Sequence, residues 1–265
     1  RAEWLAAMLD GNLVDRVFGF SATADNVLFR DVDSGLRYSK LDGIQGNLAI
    51  QISALADRGR IQQFLDSVPY NRSVVFGSDV PGGGDQLLGL SGSDRLFGAA
   101  GGDTLDGAGG DDYLEGGPGE DTLIGGAGDD TLNGGEGADR LEGGPGSDTY
   151  VFAAALDADT IVDRDGQIFA GEVPLTGGSG AQGGPYVSAD GRFSYQFSGG
   201  LASDGTLVVN GALRVEGFRN GDLGIRLVDG IEPAELLPVT DRDRLGYFNY
   251  VPFGARPTQF VCRGE

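Results

Sequence analysis

Between residues 80 and 151 the chain repeats every nine residues, and so strict a period leaves few folds open. Asp85, Asp94, Asp103, Asp112, Asp121, Asp130, Asp139 and Asp148 follow one another at that spacing. A glycine stands two residues before each: Gly83, Gly92, Gly101, Gly110, Gly119, Gly128, Gly137 and Gly146. Two residues after each Asp comes a large apolar side chain, from Leu87, Leu96, Leu105 and Leu114 through Leu123, Leu132 and Leu141 to Tyr150. In the last four units a Gly-Gly pair opens the nonapeptide, whereas the first three open with Val80-Pro81, Gly89-Leu90 and Gly98-Ala99. A fixed period of this kind marks an architecture in which every unit is one small supersecondary element.

The unit itself dictates its shape. Six residues of Gly, Asp and small polar types form a turn whose backbone reaches positive φ without steric cost. Three residues such as Thr104-Leu105-Asp106 then run extended, with the middle side chain opposite its neighbours, so only the Leu points inward. Two units make one full coil, and stacked coils give two parallel sheets around a thin leucine core. The turns stack into two columns in which each Asp lies over the Asp two units later. Carboxylates at strand spacing repel unless a cation lies between them. The available ligands are hard oxygens, from the carboxylates and from carbonyls of the glycine turns, and these select calcium over metals that want His or Cys. The pairs Asp85/Asp103, Asp94/Asp112, Asp103/Asp121, Asp112/Asp130, Asp121/Asp139 and Asp130/Asp148 predict about six calcium ions. One apolar side chain per unit is a thin core against an ordering cost of ~1 to 2 kcal/mol per residue. Folding and metal binding are therefore expected to be one event. Without metal such a tract reads as a solvated, disordered linker.

Composition narrows the function classes. The chain has 265 residues, 40 acidic against 19 basic, and a formal net charge of -21. Fifteen of the acidic residues and only Arg95 and Arg140 lie within the repeats, so most of the negative charge sits there. This sign argues against nucleic acid and anionic membrane and for cations. There is no histidine. Ser-His-Asp and Cys-His nucleophiles and His-ligated zinc are thereby excluded from this chain. Neither Gly-x-Ser-x-Gly nor a Walker-type phosphate loop occurs. A carboxylate pair for glycoside chemistry survives that filter, but in a chain where acidic residues are everywhere. No catalytic or organic-cofactor site is expected. The single cysteine, Cys262, allows no internal disulfide, and no apolar run is long enough to span a membrane. The sequence opens at Arg1 with neither Met nor a signal-peptide pattern, as expected of part of a longer protein.

On the flanks, residues 2–9 read as a helix with Trp4, Leu5, Met8 and Leu9 on one face. Residues 27–41 read as a β-hairpin around Val32-Asp33-Ser34-Gly35. Asp31, Asp33 and Gly35 start like a calcium loop, but no Glu follows at the spacing an EF-hand needs, so a tight turn is expected. Residues 48–52 suggest a strand, 54–65 a helix, and 74–76 a lead into the first turn. Beyond the repeats, alternating runs at 193–197, 206–209, 213–218 and 223–228 read as strands. Residues 171–185 read as a flexible glycine-rich insertion. The tail from 236 is aromatic and punctuated by Pro.

The eight units resemble the calcium-binding nonapeptide repeats of the repeats-in-toxin (RTX, haemolysin-type) proteins, which include haemolysins, lipases, serralysin-type proteases and adhesins. The resemblance implies a parallel β-roll and export from a Gram-negative bacterium by type I secretion machinery into the extracellular space. Asp148-Thr149-Tyr150-Val151-Phe152 resembles the family's exit from the repeats. Its usual continuation D-T-I-x-D-x-D-G is matched by Asp159-Thr160-Ile161-Val162-Asp163-Arg164-Asp165-Gly166. The glycine turn between them is replaced by Ala155-Leu156-Asp157, so a further ion between Asp139 and Asp157 or Asp159 is left open. Asp163 and Asp165 either hold another ion or shape an Asx turn. The run from Phe218 to Leu227 resembles the closing strands of the cap that follows such rolls. Residues 1–79 are only vaguely similar to the region upstream of the repeats in secreted lipases, and no catalytic residue carries over. A family export signal lies near the C-terminus, but the last residues show no recognisable pattern for one.

The expectation is thus a mainly β chain: a small α+β N-terminal segment (1–79), a calcium-binding parallel β-roll or solenoid (80–151), a β-rich C-terminal cap (152–235) and a tail (236–265). It is expected to be a monomeric, non-enzymatic module of a larger secreted protein that folds on extracellular calcium. The alternatives are a spacer of a surface adhesin, or the C-terminal part of a secreted lipase- or protease-like hydrolase whose catalytic domain lies upstream.

Overall fold

The nine-residue period sets the architecture. In the computed structural model, which describes residues 27–32, 36–40, 72–80, 82–153, 156–181 and 183–230, each repeat contributes one short strand and one turn. Three strands precede those of the repeats: β1 (Val27–Asp31), β2 (Leu36–Lys40) and β3 (Arg72–Phe76). The repeat strands are β4 (Gln86–Leu88), β5 (Arg95–Phe97), β6 (Thr104–Asp106), β7 (Tyr113–Pro118), β8 (Thr122–Ile124), β9 (Thr131–Glu136), β10 (Arg140–Glu142) and β11 (Thr149–Phe152). Successive repeat strands alternate between two sheets, and within a sheet each pairs in parallel with the strand one full coil on. Leu87 lies beside Leu105, Leu105 beside Leu123, Leu96 beside Leu114 and Leu114 beside Leu132. This is the expected parallel β-roll. Leu96, Leu105, Leu114, Leu123, Leu132, Leu141 and Tyr150 are fully buried between the sheets, and Leu87 nearly so. The extended triplet sends its first and third side chains outward and its centre inward, the alternation that any strand imposes.

The stacking continues past both ends of the repeats. At the N-terminal side β3 lies parallel to β5, and the hairpin of β1 and β2 extends the same sheet. The hairpin is where the alternating runs place it, on either side of the expected turn. At the other end β12 (Thr160–Ile161) pairs with β10, and β13 (Gln167–Ala170) with β11 before turning into β14 (Val173–Pro174). The cap is a meander of β16 (Tyr186–Val187), β17 (Ser194–Phe197), β18 (Gly205–Val209) and β19 (Leu213–Phe218), with β19 laid parallel on β12. The roll's last coil is thereby covered. Its leucines and the cap residues Tyr195, Leu207, Val209, Leu213, Val215 and Phe218 form one buried cluster. A solenoid end left open would expose that core and an unpaired sheet edge.

Two expectations for this region need correction. Residues 171–185 are not a flexible insertion: Leu175 is buried, and β15 (Gly177–Gly180) is a strand between β16 and β20 (Arg226–Asp229). A Cβ on Gly177 or Gly178 would collide with the backbone of Arg226 or Val187, so these glycines serve close strand approach. The strand expected over 223–228 begins instead with a 3-10 turn, Asp222–Gly224, and runs from Arg226. The helices expected at 2–9 and 54–65, the strand at 48–52 and the tail from 236 lie outside the described residues. Among the described residues there is no α-helix, and no helix is long and apolar enough to cross a membrane.

Candidate functional site

The aspartates of the repeats form two columns, one along each edge of the roll. In the first, the amides of Asp85, Asp103 and Asp121 donate to Oδ1 of Asp103, Asp121 and Asp139, at 2.8, 2.7 and 2.9 Å. In the second, the amides of Asp94, Asp112 and Asp130 donate to Oδ1 of Asp112, Asp130 and Asp148, at 2.6, 2.8 and 2.8 Å. One oxygen of each carboxylate is thus consumed by the coil before it. From Asp94 to Asp148 these side chains are at most 2% exposed, although Asp is among the residues least often buried.

The second oxygen divides the column. Oδ2 of Asp103, Asp112, Asp121, Asp130, Asp139 and Asp148 is buried and has no hydrogen-bond partner. The first glycine of each unit shows where these atoms face. A Cβ built on Gly98, Gly107, Gly116 or Gly125 would lie within 3.0 Å of two oxygens at once: Oδ2 of Asp103, Asp112, Asp121 or Asp130, and the carbonyl of Gly116, Gly125, Gly134 or Gly143 in the next coil. A free carboxylate oxygen and a carbonyl oxygen therefore converge in a space that only glycine leaves open. The fourth-position glycines serve the stacking: a Cβ on Gly101, Gly119 or Gly137 would strike the carbonyl of Gly83, Gly101 or Gly119 in the coil before.

Asp85 and Asp94 differ. Oδ2 of Asp85 accepts the amide of Ser78 at 2.6 Å, and Asp94 accepts the amides of Ser73 and Leu90. The reason for the second case is local. Ala99, Ala108, Gly117, Gly126, Gly135 and Gly144 fill the second position of the later units with positive φ, whereas Leu90 does not adopt it. Its N–H turns into the column instead. The six free oxygens match the number of expected ions but are displaced by one coil toward the cap.

Past the repeats, Asp159 is buried and joins the first column, its Oδ1 accepting the Asp139 amide at 2.8 Å across 20 residues. Asp157 is exposed. Asp163 accepts the amides of Arg164 and Asp165 and the hydroxyl of Tyr150, which is an Asx turn tied to the core. No partner of Asp165 bears on the columns. Among the described residues no three acidic side chains converge on one point, so a cation here needs main-chain carbonyls as well.

Such burial carries an electrostatic penalty. Desolvation, and after it the neighbouring carboxylates of the column, push Asp112 up to about 8; desolvation and Asp163 push Asp148 up to about 7. Asp121, Asp130 and Asp159 are pushed up to about 6, first by burial, and Asp94, Asp103 and Asp139 are raised for the same reason. A buried carboxylate in this state takes up a proton or a cation. An oxygen-only set of carboxylate and carbonyl donors fits calcium, which accepts ~6 to 8 such ligands in flexible geometry.

Residues 82–114 and 115–150 match the family model described as RTX calcium-binding nonapeptide repeat (4 copies). The coils are RTX calcium-binding repeats. No curated protein sequence matches the chain. Among solved structures it is similar to the solution structure of the AlgE6R3 subunit from the Azotobacter vinelandii mannuronan C5-epimerase. That similarity is 24% identity over 71% of this chain and 97% of the other, with a TM-score of 0.30. The RTX match stops at residue 150, so it includes neither Asp159 nor the amides of Ser73 and Ser78. Sequence reasoning also missed the first-position glycines as part of the site, although their recurrence from Gly89 onward was the available signal.

Proposed function

We propose that this chain is the calcium-responsive folding module of a larger protein that a Gram-negative bacterium exports through type I machinery into calcium-rich surroundings. The observation that carries this reading is the set of six buried, unpartnered carboxylate oxygens, four of them facing a carbonyl of the next coil. Ionised and without a cation they destabilise the roll; each bound ion removes part of that penalty and ties two coils together. The expected complement is about six ions, with Asp103, Asp112, Asp121, Asp130, Asp139 and Asp148 and the glycine-turn carbonyls as ligands. Asp85 and Asp94 hold the N-terminal coils through amide hydrogen bonds instead. When bound, calcium supplies charge neutralisation and cross-linking, not chemistry on a substrate. The chain acts as a monomer, with residues 80–151 as the switch, 152–235 as its cap, and 1–79 and 236–265 as flanks.

At cytosolic calcium the module stays expanded and passes an exporter; at the millimolar calcium outside, it folds. Extracellular calcium modules have dissociation constants of ~0.1 to 1 mM, the range such a switch needs. The test is far-UV circular dichroism of the isolated chain during a calcium titration. A cooperative gain of strand signal is expected, and full strand signal in excess chelator refutes the reading.

A further inference from the structure

Outside the repeats, one four-residue turn touches both the last coil and the cap, and we propose that it is a latch. The cap docks in a separate step, after calcium has ordered the coil of Asp148, and leaves first when calcium falls. This rests on the calcium reading above and adds an order of events to it.

The turn is Asp163-Arg164-Asp165-Gly166, between β12 and β13. Its roll side is fixed by the last coil. A Cβ on Gly166 would lie 2.0 Å from the Asp148 carbonyl oxygen, and the next amide, that of Gln167, donates to the same oxygen at 2.8 Å. The Tyr150 hydroxyl accepts the Gly143 amide at 2.9 Å and donates to Asp163 Oδ2 at 2.7 Å. Tyr150 is fully buried, so this bond runs from the roll's core to the start of the turn. The turn therefore has its place only when the coil carrying Asp148 is formed.

Its other side carries the cap. The Arg164 carbonyl accepts the Leu223 amide at 2.9 Å, and the Arg164 guanidinium donates to Asp204 Oδ2 at 2.8 Å, in the loop between β17 and β18. Arg219, the residue after β19, donates to the other oxygen of Asp204 at 2.9 Å. Strand pairing alone gives the cap a slender hold, since β19 meets β12 over two register pairs, Thr160 with Arg214 and Ile161 with Val215. Leu223 is the strained part of the assembly. Its φ of 51° lies in the left-handed region, between Gly221 at 111° and Gly224 at 69°, and its side chain is 1% exposed. A residue with a Cβ keeps that conformation only while its surroundings hold it there. Released from Arg164, the segment relaxes through its flanking glycines. The cap thus has two arrangements, docked and strained or undocked and relaxed, and the position of the turn selects between them.

The test is peptide-resolved hydrogen–deuterium exchange of the full chain across a calcium titration, with bound ions counted by native mass spectrometry. In the wild type, amides of β17 to β19 gain protection at higher calcium than those of β6 to β9. Arg164→Ala removes an exposed guanidinium and keeps the carbonyl, so its coils retain their calcium midpoint and ion count, whereas its cap amides exchange about two- to five-fold faster in saturating calcium. Arg164→Lys, which keeps a charge for Asp204, recovers part of that protection. Leu223→Ala, which keeps the amide and loses the buried anchor, moves the cap in the same direction and further. One shared midpoint for coil and cap amides in the wild type, a joint shift of both in the variants, or unchanged cap exchange in Arg164→Ala overturns the latch. Full protection of the coils in excess chelator would instead overturn the calcium reading on which it rests.

Discussion

Replacing Asp121 by Ala tests whether ions lie between coils or in independent loops. Asp121 Oδ1 holds the buried amide of Asp103, and its Oδ2 faces the Gly134 carbonyl. Removing the side chain leaves that amide unpaired, at ~1 to 3 kcal/mol. It also strips a ligand from its own seat and perturbs the neighbouring one, each contributing ~1.4 kcal/mol when calcium is ten times its dissociation constant. A total of ~4 to 6 kcal/mol, spread over about six coupled ions, raises the calcium midpoint of folding by a factor of about three to five. Asp85→Ala removes only an acceptor for the Ser78 amide at a half-buried position, at ~1 kcal/mol, and shifts the midpoint less than ~1.5-fold. Calorimetric titration gives the ion count and circular dichroism the midpoint for both variants side by side. Asp121→Ala should lose at least one ion and show lower cooperativity, whereas Asp85→Ala should lose none. Equal midpoints refute the inter-coil seats, and the loss of an ion in Asp85→Ala refutes the claim that amides replace metal at the first coil.

Magnesium at equal concentration should not fold the chain, because its small octahedral shell retains water and cannot follow these carbonyls; comparable strand content in either cation would count against the seats. The metal-free chain should gain strand content as pH is lowered from about 8 toward ~4. Asp112 and Asp148, pushed up to about 8 and about 7, stabilise the fold fully only below the unfolded value near ~4 and lose that contribution as pH rises through the folded values; a flat profile in resin-treated buffer contradicts this. Ala99 and Ala108 hold φ of 79° and 72°, a region that costs a residue bearing a Cβ ~1 to 2 kcal/mol. Gly at either position should lower the calcium midpoint by about 1.4-fold, and a raised midpoint would mean that the turn prefers Cβ there.

The repeats were legible because every level of the sequence agrees. The Leu spacing gives the register, the Gly positions give turns that can stack, and the Asp spacing gives the columns. What could not be read were the places where a distant strand decides. Nothing around Ser73 announces an amide bound to a carboxylate in the column, because β3 joins the stack with an offset of 21 residues. Asp159 comes later after Asp148 than a count in nines allows, and Gly166 comes earlier after Asp159, so one half-coil expands, the next contracts, and the count loses both. The glycines of β15 read as a linker because their use is to admit β20 and β16, and β20 lies far along the chain.

These departures have one physical logic. A stacked column of buried carboxylates must be neutralised or hydrogen-bonded at every level, and the chain changes donor as the repeat degenerates. Where the residue after the opening Gly takes a left-handed turn, the space beside Oδ2 is left for an ion. Where Leu90 does not take a left-handed turn, its amide donates to Asp94 instead, and Ser73 from β3 supplies a second N–H. The N-terminal edge of the other sheet shows the same substitution, since the Arg30 guanidinium donates to the Leu88 carbonyl at the end of β4, where no further coil continues the ladder. In the proposed module, metal is thereby absent from the first coil and present in every later coil up to the cap, whose side chains share one buried cluster with the roll's leucines. Calcium at Asp130, Asp139 and Asp148 consequently stabilises the same coils that the cap covers. The N-terminal coils, held by amides and a guanidinium, depend on calcium only through the stack beneath them.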